Sequence, residues 1–182
     1  MHKTSIFSFS LQKWSGKRCY MLAARDLSIV WGNTPRYWRW TSLPEPRFSE
    51  VAELIDVCWL EIRGKINTSM LFPNTNYAAY LVFKSPAGAY GFEYQPAEVS
   101  VGINEGGGET QTVYLNPDGG QMLRYEIIPR LRGDGWMEIE LGQYVNKGGQ
   151  DGELEMSLME VKGGHWKSGL IIQGLEIRPK EG

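Results

Sequence analysis

Short apolar stretches that alternate with polar residues, broken by clusters of Gly, Pro, Asn and Asp, run through almost the whole chain. A two-residue period puts successive side chains on opposite faces of a strand, so the pattern predicts β-structure throughout. In "DVCWLEIRGKI" the alternation sets Cys58, Leu60 and Ile62 on one face and Val57, Trp59, Glu61 and Arg63 on the other. "YAAYLVFK" is apolar on both faces, as a central sandwich strand is, and "EVSVGI" turns Val99, Val101 and Ile103 inward. "WMEIELG" sets Met137, Ile139 and Leu141 against Glu138 and Glu140, "ELEMSLMEV" sets Leu154, Met156 and Leu158 against Glu153, Glu155 and Ser157, and "LIIQGLEIRP" closes the chain.

This amounts to about eight to ten short strands with turn signals between them. The fold class it predicts is all-β: an antiparallel β-sandwich of jelly-roll type with at most one or two short helical turns. The helical turn is expected at "FSEVAEL", where Ser49 can cap and Glu50 and Glu53 sit near the positive end of the helix dipole. "NEGGGETQT" and "NPDGGQ" read as loop tips and "NKGGQDGE" as a long hairpin connection; no repeat of fixed period is present.

A length of 182 residues suits one domain with a sizeable core. Hydrophobic residues at 42% and charged residues at 22% are ordinary for a globular fold, and no run reaches the roughly 18 apolar residues of a membrane span. Nineteen basic against twenty-one acidic residues leave a net charge of -2, which argues against nucleic acid or an anionic membrane as partner. "IFSFSL" is too short and too broken by serine for a signal peptide. Cys19 and Cys58 have neither metal-site nor disulfide-framework spacing, and both are expected to be reduced in a nucleocytoplasmic compartment. The sequon at Asn67, Thr68 and Ser69 then goes unused.

Catalytic constellations fall away one by one. "GGHWKSG" mimics a phosphate loop, but Trp166 precedes the lysine and no strand feeds a helix there. His2 and His165 are too few and too far apart for a metal site, so no metal and no cofactor are expected. Alternating glutamates on the late strands suit a solvated face better than the acid and base of a glycosidase. Glu160 differs, because strict alternation places it in phase with Leu154, Met156 and Leu158 on the buried face. Either the strand ends at Met159 and Glu160 escapes to the rim, or the face opens onto a polar site where a carboxylate accepts hydrogen bonds from a ligand.

"SIVWGNTPRYWRW" concentrates Trp31, Tyr37, Trp38 and Trp40 around a Gly, Asn and Pro turn, in a chain of seven tryptophans and nine tyrosines. Trp59 and Trp136 read as core packing. Trp38 and Trp40, two apart, share a face, and Trp31 ends a strand at the turn. An aromatic platform beside a turn suits a sugar ring, whose apolar C–H face stacks while its hydroxyls need fixed donors and acceptors. Asn33, Arg36 and Glu160 supply these if the fold brings them close.

The blocks "SGKRCYMLAARDLSIVWGNTPRYWRW", "VAELIDVCWLEIRGKI", "YAAYLVFK", "DGWMEIELG" and "DGELEMSLMEVKGGHWKSGLIIQGLEIRP" together resemble, in order and over nearly the whole chain, the plant phloem protein 2 (Nictaba-like) lectin family. That resemblance implies a jelly-roll β-sandwich, no catalytic activity, and binding of N-acetylglucosamine oligomers, N-glycans and the glycoproteins that carry them. It also implies a cytoplasmic and nuclear location, or phloem sap. The family's site residues map onto Trp31, Trp38, Glu153 and Glu160, so the candidate carbohydrate-binding set is Trp31, Asn33, Arg36, Trp38, Glu153 and Glu160. Residues 1–16 are expected to be a lead-in holding at most a first strand, and 17–182 the lectin domain. Many members join this domain to an N-terminal F-box, and the opening of the domain resembles those members most. The lead-in lacks a leucine-rich helical pattern, which leaves a stand-alone member or a portion of a longer chain. A pure protein-interaction module, the substrate-recognition part of a ubiquitin-ligase adaptor or a phloem structural protein, stays open as the alternative function, and so does a homodimer.

Overall fold

The chain's structure is a computed structural model that describes residues 7–11, 16–42, 50–92, 96–103, 108–115, 129–149 and 151–180. Its centre is the strand that is apolar on both faces. Thr75–Lys84 (β7) lies between Met137–Asn146 (β11) and Ile171–Pro179 (β13), antiparallel to both. Its Tyr77, Ala79, Leu81 and Phe83 point into the sandwich, while Val82 points outward into a smaller cluster with Met21, Val51 and Trp136. That second cluster explains the missing polar phase of "YAAYLVFK", and it buries Trp136 as expected.

Beyond β13 the same sheet continues through Arg18–Ala23 (β2) to Phe7–Leu11 (β1), and beyond β11 to Arg130–Leu131 (β10). Val51–Leu54 (β5) adds to the start of β13, and Trp38–Thr41 (β4) pairs β5. The facing sheet has the order β3-β6-β12-β8-β9, made of Ser28–Ile29 (β3), Leu60–Asn67 (β6), Ala97–Ile103 (β8), Thr110–Val113 (β9) and Glu153–Glu160 (β12). Every pairing among these strands is antiparallel. The architecture is the antiparallel β-sandwich that the alternation predicts: Leu60, Ile62 and Ile66 of β6 and Leu154, Met156 and Leu158 of β12 are buried in one core with the inward residues of β7 and β13. Gly64 lets the sheets close, since a Cβ there would stand 2.6 Å from Leu175 Cδ1.

Three expectations need correction. Thirteen strands are present among the described residues rather than about eight to ten, because β3, β4, β5, β9 and β10 are two to four residues long and too short to show a period. "FSEVAEL" is not helical over its described part: Val51–Leu54 is strand β5, held between β4 and β13, with Val51, Ala52 and Leu54 buried; Ser49 lies outside the described residues. Tertiary pairing outweighs the weak helical signal of four residues. The helical turns are 3-10 turns at Ala24–Asp26 and Thr68–Met70. In "DVCW" the alternation fails before β6 begins: Val57 is fully buried, and Trp59, read as core, is 41% exposed. No helix among the described residues is long and apolar enough to cross a membrane.

The outer face of the larger sheet carries an ion network. Arg178 donates to Glu138 at 2.6 and 2.9 Å and to Glu176 at 2.7 Å, with its guanidinium 3.8 Å over the Tyr80 ring, and Arg132 reaches Glu176 at 3.0 Å. Burial alone would raise the Glu176 carboxyl, but hydrogen bonds and charge from Arg178 and Arg132 outweigh it and hold the group below the ordinary carboxylate range. A depressed folded value means that the stabilisation is complete above the unfolded pKa of about 4.3 and is lost as pH falls through the folded value. Glu176→Gln is therefore expected to flatten the fall of Tm on acidification below about pH 4.3, as measured by thermal unfolding across roughly pH 2.5 to 6. A slope identical to wild type would remove Glu176 as a source of the acid sensitivity.

Candidate functional site

The strand register brings several loops to one end of the sandwich. Glu160 ends β12 opposite Leu60, the start of β6; Lys84 ends β7 opposite Ile171, the start of β13; Trp38 starts β4 opposite Leu54, the end of β5. Segments 30–37, 55–59, 85–92 and 161–170 therefore converge there.

The first of these segments is a series of tight turns. The Val30 amide donates to Glu61 O at 3.1 Å, Gly32 N to Ile29 O at 2.9 Å, Thr34 N to Trp31 O at 2.9 Å, and the amides of Tyr37 and Trp38 both to Thr34 O. Within them Trp31 is held at φ +60°. A bulky side chain in the left-handed region is a genuine outlier, and such strain concentrates at ligand-binding sites. The Trp31 ring is 44% exposed and leans on Tyr37, centroids 5.2 Å apart and planes tilted by 34°. Asn33 and Arg36 are exposed beside it, with the Arg36 guanidinium 6.0 Å over the Tyr37 ring. Trp40 braces the turn from behind, its Nε1 donating to Gly32 O at 2.8 Å while Arg25 lies 3.8 Å over its ring. Arg25 also donates to Glu50 at 2.6 Å, a bond that holds the Glu50 carboxyl below its usual range.

Behind this surface lies an unusual concentration of buried polarity. Lys167 is completely buried, and its Nζ donates to His165 O at 2.7 Å and Cys58 O at 3.0 Å and pairs with Glu160 Oε2. Glu160, 3% exposed, accepts the Gly163 amide at 3.1 Å on its other oxygen. Tyr37 O accepts the amides of Ile55 and Asp56, which ties the Trp31 turn to the same segment. Three buried atoms there accept or donate no hydrogen bond: Trp38 Nε1, Asp56 Oδ1 and Glu160 Oε2, the last of which is met by the Lys167 ammonium as an ion pair.

The family profile of phloem protein 2 matches residues 17–179. The chain belongs to the phloem protein 2 family. F-box protein PP2-B10 of Arabidopsis thaliana is 48% identical over 171 residues, which cover 93% of this chain and 63% of that protein. F-box protein At2g02240 of the same plant is 47% identical over 176 residues, covering 94% of this chain and 55% of its own. The chain thus spans less than two thirds of the length of these curated relatives. Among solved structures, Podospora anserina GH26-CBM35 beta-(1,4)-mannanase matches with a TM-score of 0.50 at 11% identity, over 90% of this chain and 28% of that one. At that identity the likeness is one of fold.

Within this phloem protein 2 domain the six residues singled out from sequence do not form one surface. Trp31, Asn33 and Arg36 are exposed together on one turn. Trp38 follows in the chain but is 2% exposed, and the face it shares with Trp40 is turned into the core instead of forming a platform. Glu160 lies beneath the same end, engaged by Lys167 rather than by the nearer-in-sequence Lys162, which pairs with Glu98 at 2.6 Å. Glu153 is elsewhere: it starts β12, seven residues and about 24 Å of strand rise from Glu160, with its side chain 64% exposed near Lys65. Sequence reasoning missed Tyr37, whose ring supports Trp31, and Asp56, which no motif distinguishes. Among the described residues no group of His, Cys, Asp and Glu is arranged to hold a metal ion.

Proposed function

We propose that this phloem protein 2 domain is a lectin that binds oligosaccharides and glycoproteins bearing N-acetylglucosamine, without transforming them, and that the ring contact is made by Trp31. The observation that carries the reading is the exposed Trp31 ring, backed by the half-buried Tyr37 and held at a strained turn, with Asn33 and Arg36 beside it. A pyranose offers an apolar face to such a ring and hydroxyls and acetamido groups to the amide and guanidinium. A shallow site of this kind binds a short sugar at about micromolar affinity or weaker, since about 1 µM already corresponds to roughly -8 kcal/mol. A glycan array on the purified domain tests it: saturable signal confined to glycans with N-acetylglucosamine is expected, and no glycan signal would reject the reading.

Trp31→Gly separates site from scaffold. Glycine adopts φ +60° freely, whereas an L-residue there costs about 1 to 2 kcal/mol, so the variant is expected to keep or exceed the wild-type Tm while losing sugar binding by about tenfold or more. A large drop in Tm would show that the ring serves packing.

A second reading follows from the relatives' names. If the domain is the recognition part of a longer F-box protein, the partner is a protein, and its capture is untouched by free sugar. Competition by chitotriose decides between the two.

A further inference from the structure

On segments 30–37, 55–59, 85–92 and 161–170 every exposed large hydrophobic side chain is aromatic: Trp31, Trp59, Tyr90 and Trp166. Trp166 and Tyr90, each 49% exposed, belong to a part of this end that the Trp31 turn does not use.

Their backbone is fixed more firmly than loops usually are. Val57 and Lys167 exchange both amide bonds, at 2.8 and 2.9 Å, and Tyr90 and Ser168 exchange both at 3.1 Å, while Gly169 N donates to Leu54 O at 2.8 Å. Residues 166–168 therefore form a short extended stretch bridged on both sides. Alternation sends Lys167 inward and Trp166 and Ser168 outward, and the antiparallel pairing puts Tyr90 on the same outer side. Gly91, at φ +95°, closes the contact; a Cβ there would lie 2.5 Å from Trp166 O. The buried Lys167 and Glu160 pair then locks the stretch from within. Aromatic rings that are exposed, borne on rigid backbone and flanked by polar His165 and Ser168 are pre-organised for stacking at low entropic cost.

We infer that Trp166 and Tyr90 form an outer saccharide subsite, which stacks a further pyranose ring of a ligand longer than the Trp31 site alone can hold. The inference rests on the lectin reading above and extends it from one ring to an oligosaccharide. The buried ion pair gains a purpose as well, with Glu160 and Lys167 acting as positioning residues that hold Trp166 outward, not as groups that touch sugar.

The test is calorimetric titration of N,N′-diacetylchitobiose and of chitotetraose into wild type, Trp166→Ala and Trp166→Phe, with Tm measured on each. Wild type is expected to bind the tetrasaccharide about tenfold tighter than the disaccharide. Trp166→Ala should abolish that gain while disaccharide affinity and Tm stay at wild-type values, and Trp166→Phe should restore part of it. A gain that survives in Trp166→Ala, or a loss that falls equally on both sugars, overturns the subsite and leaves the Trp31 reading standing. Wild-type protein that binds neither sugar overturns the lectin reading and the subsite together.

Discussion

Trp38→Ala is expected to destabilise the domain by about 3 to 5 kcal/mol, the range for removing a large aromatic from a packed core, and to lower Tm by roughly 10 °C or more. The ring is 2% exposed, belongs to the main cluster and sits on β4 opposite Leu54. Trp59→Ala is the contrasting case. That side chain is 41% exposed and its indole donates to Glu61 at 3.2 Å, so its truncation should cost less than about 1 kcal/mol. The two tryptophans thus exchange the roles that the sequence pattern assigns them. Trp38→Phe is informative in between: it loses part of the ring but also removes a buried N–H with no acceptor, two effects of opposite sign. Thermal and urea unfolding of the three variants checks the order, and a Trp38→Ala protein as stable as wild type would show the core assignment to be wrong.

The other large effect concerns the buried ion pair. Glu160→Gln leaves the Lys167 ammonium, completely buried, with two carbonyls and no counter-charge, and Lys167→Met leaves the Glu160 carboxylate with a single amide donor. Breaking one side of a buried pair costs about 3 to 5 kcal/mol, whereas replacing both sides together is far milder. Each single variant is therefore expected to melt well below wild type, and the double variant Glu160→Gln with Lys167→Met to be more stable than the sum of the singles allows by at least about 1 kcal/mol. Strict additivity would mean that the two charges do not sense each other in the folded state.

Much of this architecture was legible from polarity alone. Val99 and Val101 of β8, Ile139 and Leu141 of β11, and Leu154, Met156 and Leu158 of β12 all face inward as alternation demands, because these strands are long enough to show a two-residue period. The same rule located Glu160 on the buried face. It could not supply Lys167, since a lysine is buried only when a partner awaits it, and that partner sits across the end of a strand. Tryptophan identity was the poorest guide: Trp31, Trp38 and Trp59 carry the same polarity, and only the turn geometry and the pairing of β4 with β5 decide which faces water. The strained φ of Trp31 leaves no mark in the sequence beyond the neighbouring Gly32 and Asn33, residues that announce a turn without saying which position bears the strain.

The most direct measurement is a chitotriose titration followed through the indole N–H resonances of the uniformly labelled domain. The Trp31 resonance is expected to move and saturate with a Kd of micromolar or weaker, while that of Trp136, buried in the outer cluster with Met21, Val51 and Val82, stays still. A Trp31 resonance that does not move at millimolar chitotriose would contradict a sugar site at this turn.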